Sequence, residues 1–256
     1  MNRPQQDPYK ECAGCLVRDR CTRRSGASPL PDDYKTNPEC SGFVMIDQAM
    51  NLSKIPPEFR ESNKNNFQFD QDNMKFKPAL ENLFSEIKTA VMAGTNVGFI
   101  SKEKGTGKTK AVTTLAAEFI FSSVMDADLF DFENPLALYV KYGTWANDLR
   151  KVYQLNDLDY TAKSLAELER MKNVPLLILD DIGSGRLSGY VRDITYDLID
   201  FRKEHKKATF FTSNFTEGQL GHPDMLGDTI ATRVFFNSLV FEYSGRNRRK
   251  ESTYYV

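Results

Sequence analysis

The sequence predicts an α/β fold, a mostly parallel sheet flanked by helices, and three features predict it. First, the apolar run Val97-Gly98-Phe99-Ile100 leads into Ser101-Lys102-Glu103-Lys104-Gly105-Thr106-Gly107-Lys108-Thr109, after which apolar residues recur at Val112, Leu115, Ala116, Phe119 and Ile120. Strand, glycine-bearing loop and helix in that order make a phosphate-binding loop. Second, the apolar run from Val174 to Leu179 ends abruptly in Asp180-Asp181. Third, further strand-like runs alternate with helix-like ones, which puts the site at the carboxyl edge of a parallel sheet.

In chain order, all four cysteines come first, as Cys12, Cys15, Cys21 and a more distant Cys40. Their clustering points to one local site. In a reducing compartment such thiolates suit Zn²⁺, which folds a segment too short for its own core; an iron–sulfur cluster and free thiols are the alternatives. Residues 1–45 are therefore expected to form a small zinc-binding module. Residues 46–76 turn to Asn, Gln, Asp, Ser and Pro with isolated Phe59, Phe67, Phe69 and Phe76, the composition of a linker or a clasp. The nucleotide domain is expected over 77–256.

Within it, Leu80, Leu83, Phe84, Ile87 and Val91 fall on one helical face behind Pro78. Gly105 and Gly107 let the loop backbone curl so that its N–H groups and the following helix N-terminus surround an anion. Lys108 is placed to reach the phosphates of ATP, with Thr106 in the cradle and the Thr109 hydroxyl at a Mg²⁺ site. The usual pattern opens on glycine, and Lys102 stands at that position. After the loop helix, 136–140 reads as a strand, 144–153 and 165–171 as helices, and 174–181 as a strand.

Two acids ending a buried strand are costly unless a cation meets them. Asp180 is assigned to Mg²⁺ and Asp181 to orienting or deprotonating the attacking water. A helix from Ser188 buries Val191, Ile194, Leu198 and Phe201 and ends in a basic run; the next strand finishes at Thr212-Ser213-Asn214, with Asn214 placed to hold the attacking water. A helix over 225–236 carries Arg233, the strand 239–243 follows, and Arg246 to Lys250 makes a basic tail.

With Gly105 to Thr109, Leu177 to Gly183, Thr212-Ser213-Asn214, Arg233 and the cysteine cluster in place, the chain resembles the DnaC/DnaI type of replicative helicase loader within the AAA+ ATPases, with IstB-like transposition ATPases as relatives. The resemblance implies that Asn214 is the sensor-1 polar residue and Arg233 an arginine finger acting in trans on a neighbouring subunit, hence a homo-oligomer. It also implies a fold without a C-terminal lid, an N-terminal module that binds a hexameric helicase, and single-stranded DNA binding in the ATP state. Arg248 or Arg249 is the candidate for a sensor-2-like contact. Trp145, Tyr142 and Tyr153 with Arg150 and Lys151 offer rings and cations to DNA, and core packing of Trp145 and Tyr153 is the equal alternative. Lys102 and the short carboxylate of Asp181, where many AAA+ proteins carry Glu, keep open a hydrolysis-deficient adaptor that sequesters a helicase or loader.

The net charge of −1 excludes a global basic field for nucleic acid, so such contacts fall to local patches. No uninterrupted apolar stretch is long enough to span a bilayer, and the first residues lack the order of a signal peptide, so the expected location is the cytoplasm without membrane contact.

Overall fold

The computed structural model of the chain describes residues 41–248, apart from 125, 127, 156 and 186 and the side chains of 41–44, 153 and 155. Cys12, Cys15, Cys21, Cys40 and Arg249 lie outside the described residues, as does the Tyr153 side chain.

Five strands form one sheet: β1 (Asn96–Ile100), β2 (Ala137–Lys141), β3 (Leu176–Asp180), β4 (Ala208–Ser213) and β5 (Ser238–Glu242). Their order is β2-β3-β4-β1-β5 and every neighbouring pair is parallel. Parallel neighbours need crossovers, and helices supply them. The helices are α1 (Ser41–Leu52), α2 (Lys77–Ser85), α3 (Ile87–Met92), α4 (Lys108–Ser123), α5 (Tyr142–Leu155), α6 (Leu158–Asn173), α7 (Gly189–Glu204), α8 (Glu217–Leu220) and α9 (Asp228–Phe235).

The central strands read as continuous apolar runs because both faces are covered. One face carries Val97, Phe99, Ile178, Phe210 and Phe241, packed under α1 to α4. The other carries Ile100, Leu138, Val140, Leu177, Leu179 and Phe211, packed under α5, α6, α7 and α9. Alternate residues of one strand thus serve two cores. β1 lies inside the sheet between β4 and β5, so the loop that follows it opens between strands.

The helix expected over 78–91 is two. The Ser85 hydroxyl bonds back to the carbonyls of Glu81 and Asn82, competing with the ladder, and Glu86 leaves helical geometry between α2 and α3. α6 begins earlier than its apolar spacing indicates, because the Asp157 carboxylate caps the Tyr160 N–H and carries the helix through an exposed first turn. α9 starts at Asp228 rather than 225, behind Gly227 at φ 86°.

Residues 46–76 pack along the sheet domain. Ile46, Ala49, Met50 and Ile55 join the first core, and Phe59, Phe67, Phe69 and Phe76 are half-buried against it. The position 45/46, where composition changes, falls inside α1. Among the described residues no helix is long and apolar enough to cross a membrane.

Candidate nucleotide site

The phosphate loop joins β1 to α4. Gly105 and Gly107 adopt φ +77° and +97°, the left-handed region that favours glycine, and Gly107 caps α4. Lys102 keeps an ordinary φ, so the loop closes without glycine at that position. The first turn of α4 aims its N–H groups and positive dipole end into the loop.

Lys108 is 8% exposed. Its Nζ donates to Asn214 Oδ1 at 2.9 Å and to the Glu103 carbonyl at 3.0 Å, with the Ser101 carbonyl at 3.5 Å. Asn214, at the end of β4, faces two ways: its Oδ1 accepts from Lys108 and its Nδ2 donates to Asp181 Oδ1 at 2.6 Å. Asp181 holds φ +59°, an uncommon backbone for a non-glycine residue, and its N–H donates to Thr212 Oγ1 at 2.8 Å. Lys108, Asn214 and Asp181 therefore form one chain of hydrogen bonds.

Asp180 is 6% exposed and accepts three hydroxyls. Thr109 and Thr212 donate to Oδ1 at 2.9 and 2.8 Å, and Tyr139 donates to Oδ2 at 2.7 Å. Burial first, then the Asp180 carboxylate, pushes the Tyr139 hydroxyl above its ordinary range, which keeps it a proton donor. Neither Tyr139 nor this use of Thr212 was read from the sequence. The available signal was position: Tyr139 lies two residues before Lys141, the register partner of Asp180.

Whether ATP and Mg²⁺ fit these residues can be tested on the loop itself. Thr106 Oγ1 and Arg248 Nε are buried and have no hydrogen-bond partner. Buried polar groups are normally paired, so two unpaired ones at a loop of left-handed glycines fit an anion. Thr109 and Asp180, already within 2.9 Å of each other, are the oxygen ligands available to Mg²⁺. No group of three or more His, Cys, Asp and Glu is assembled among the described residues, so phosphate oxygens and water would supply the rest of a Mg²⁺ shell there.

The remaining sequence-assigned residues divide. Arg233 on α9 pairs with Asp200 at 2.6 Å and lies over the Tyr196 ring at 4.7 Å, both on α7, so its partners belong to a neighbouring helix and not to the loop. The bond from Asp200 holds the guanidinium above its ordinary pKa. Arg248 lies at the loop, its backbone N–H donating to the Gly105 carbonyl at 3.0 Å. Tyr142 is fully buried, bonded to Thr195, and Trp145 is 7% exposed; both are core residues, which removes them as a stacking platform. Arg150 and Lys151 bond to Asn147 and Asp148 on their own helix.

Strand order, loop and acid pair together define a parallel α/β domain with a glycine-bearing loop and two acids at the carboxyl edge of its sheet. Its likeness is to the DnaC/DnaI replicative helicase loaders. Over 94 residues the chain is 28% identical to the replicative helicase loader DnaI of Bacillus subtilis, a match covering 32% of this chain and 30% of that protein. The chain thus spans under a third of the length of that relative. The fold matches a crystal structure of DnaI with TM-score 0.57 and 20% identity, covering 79% of this chain and 100% of that one. A DnaC helicase loader structure matches with TM-score 0.55 and 18% identity over 74% of this chain and 100% of that one. AMPPCP-bound DnaA from Aquifex aeolicus shares the fold at TM-score 0.53 and 17% identity, over 77% of this chain and 53% of that chain. No family model matches the chain.

Proposed function

We propose that the protein is an ATP-dependent loader of a hexameric replicative helicase onto single-stranded DNA, with ATP binding and hydrolysis as the switch for release. The observation that carries this reading is the pair of networks at the loop, Thr109–Asp180–Tyr139 and Lys108–Asn214–Asp181, in a fold shared with helicase loaders. In this reading Gly105, Thr106, Gly107 and Lys108 bind the phosphates, and Thr109 with Asp180 holds Mg²⁺. Mg²⁺ there would neutralise charge developing on the phosphates. Asp181 accepts a proton from the attacking water, and Asn214 fixes the position of that carboxylate. A carboxylate one methylene shorter than Glu reaches less far, so turnover is slow and stimulated by DNA.

Arg233 acts on the nucleotide of a neighbouring copy, leaving Asp200 as it does so. Cys12, Cys15, Cys21 and Cys40 hold Zn²⁺ in the 1–45 module that grips the helicase, joined by 46–76 to the ATPase domain, and the protein works in the cytoplasm.

The test is ATP turnover by the full chain with and without single-stranded DNA, beside capture of a hexameric helicase from the native host. DNA-stimulated turnover and helicase capture are expected. ATP binding with zero turnover under every DNA condition would make it a sequestering adaptor, and capture of a transposase would move it to the IstB-like class.

A further inference from the structure

We propose that Asp70 is a positioning residue of the nucleotide site: from the tract ahead of the sheet it holds segment 243–248 across the phosphate loop and fixes Arg248 beside Gly107. The proposal rests on the nucleotide-site reading above.

The path of the segment comes first. Beyond β5, the Tyr243 N–H donates to the Ile100 carbonyl at 2.7 Å, at the residue where β1 enters the loop. The Tyr243 ring stacks on Phe76, centroids 5.4 Å apart at 8°, and meets Phe99 edge-on. Five residues later the Arg248 N–H bonds to Gly105 at 3.0 Å, and Asn247 lies where a Cβ on Gly105 would be. The segment therefore crosses the loop from its strand end to its glycines.

Two acids of the 46–76 tract hold it there. Asp72 Oδ2 accepts the Arg246 N–H at 3.3 Å. Gly245, at φ +132°, passes so close that an added Cβ would lie 2.3–2.5 Å from the Asp72 carboxyl atoms, so only glycine fits. Asp70 takes side chains instead: Arg248 Nη2 lies 2.9 Å from its Oδ1 and 2.7 Å from its Oδ2, and Arg246 Nη2 lies farther off, 3.8 Å from Oδ2. Asp70 is itself fixed by a tight turn. Its N–H donates to Asn73 Oδ1 at 2.8 Å, its Oδ1 accepts from Asp72 N at 3.1 Å, and Asn73 is buried.

The geometry leaves the guanidinium half used. Asp70 binds it through Nη2, while Nε is buried, has no partner among the described residues, and lies 3.7 Å from the position a Gly107 Cβ would take. A phosphate oxygen above Gly107 satisfies that N–H. Arginine loses much rotamer freedom on binding, and a side chain already held by Asp70 meets the phosphate with that loss already incurred.

Fluorescent-ATP titration of the full chain tests this. Arg248→Ala is expected to weaken ATP binding about 10- to 100-fold, as loss of one charge-assisted bond does. Asp70→Ala should weaken it several-fold, Asp70→Glu less, and Asp70→Ala added to Arg248→Ala should have no further effect. Asp72→Ala loosens only the backbone, so it separates positioning from mere structure and should leave affinity within about two-fold. Additive Asp70 and Arg248 effects, or equal effects of Asp70→Ala and Asp72→Ala, overturn the proposal. If the wild type binds nucleotide and Asp70→Ala binds it equally well, this inference alone is wrong. A wild type that binds none overturns the nucleotide site with it.

Discussion

Two buried cations stand at opposite edges of the same sheet, and their surroundings differ in kind. At the amino edge, Arg202 of α7 is 1% exposed and has no carboxylate among its partners. It donates to the carbonyls of Met171, Lys172, Val174, Pro175 and Ala208 and to Thr209 Oγ1, closing the end of α6 and the starts of β3 and β4. At the carboxyl edge, Lys108 touches an amide oxygen and loop carbonyls within a network that ends on a second acid. Arg202 donates to five backbone oxygens and one hydroxyl from three elements, so it holds the fold together. The partners of Lys108 include Asn214, to which the proposed function gives a role of its own, and in that proposal its bonds exchange for phosphate.

That contrast can be broken by substitution. Arg202→Ala has the largest expected effect: several buried carbonyls lose their donor, and about 3–5 kcal/mol of stability goes with them. Denaturant unfolding measures it; a loss under about 1 kcal/mol would end the view of Arg202 as saturated and structural. Lys108→Ala should do the opposite, abolishing ATP binding while moving unfolding stability by less than about 1 kcal/mol. Normal nucleotide affinity in that variant would remove the loop from the site.

A subtler test concerns Arg233, whose hold on Asp200 is a partly exposed ion pair open to exchange. Arg233→Ala should bind ATP normally and turn it over poorly. Mixed with Lys108→Ala, it should regain part of its turnover, because one intact loop then meets one intact arginine; two inert proteins that stay inert when mixed would count against action in trans. The smallest effect is expected from Tyr139→Phe, which removes one bond to Asp180 and about 1 kcal/mol of its restraint. Its signature is a raised Mg²⁺ requirement with ATP affinity kept, and an unchanged Mg²⁺ titration would make Tyr139 a packing residue.

Much of the carboxyl edge was legible in the sequence because its parts are short and contiguous. A loop with two glycines before Lys-Thr, and an apolar run ending in two acids, are each complete within ten residues, and the structure brings them together. The contacts between those parts were not legible. Tyr139 and Asp180 are 41 residues apart, and Arg248 and Asp70 are 178 apart. For the 46–76 tract composition left a linker and a clasp both open, since four scattered phenylalanines among Asn, Gln and Asp carry no helical or strand period; all four pack on the first core, as a clasp does. Tyr142 and Trp145 stayed open for the related reason that an aromatic beside basic residues looks the same in sequence whether it faces solvent or the core; both are core.

The sequence by itself determined the alternation of strands and helices, the phosphate loop and the acids opposite it, because hydrophobic period and glycine placement act over neighbouring residues. Only the tertiary structure decided which hydroxyls hold Asp180, that Asn214 joins Lys108 to Asp181, and that Asp70 reaches over the loop to Arg248. Those pairings depend on strand order and on where the chain returns after β5, and both follow from the packing of two cores on one sheet rather than from any local pattern.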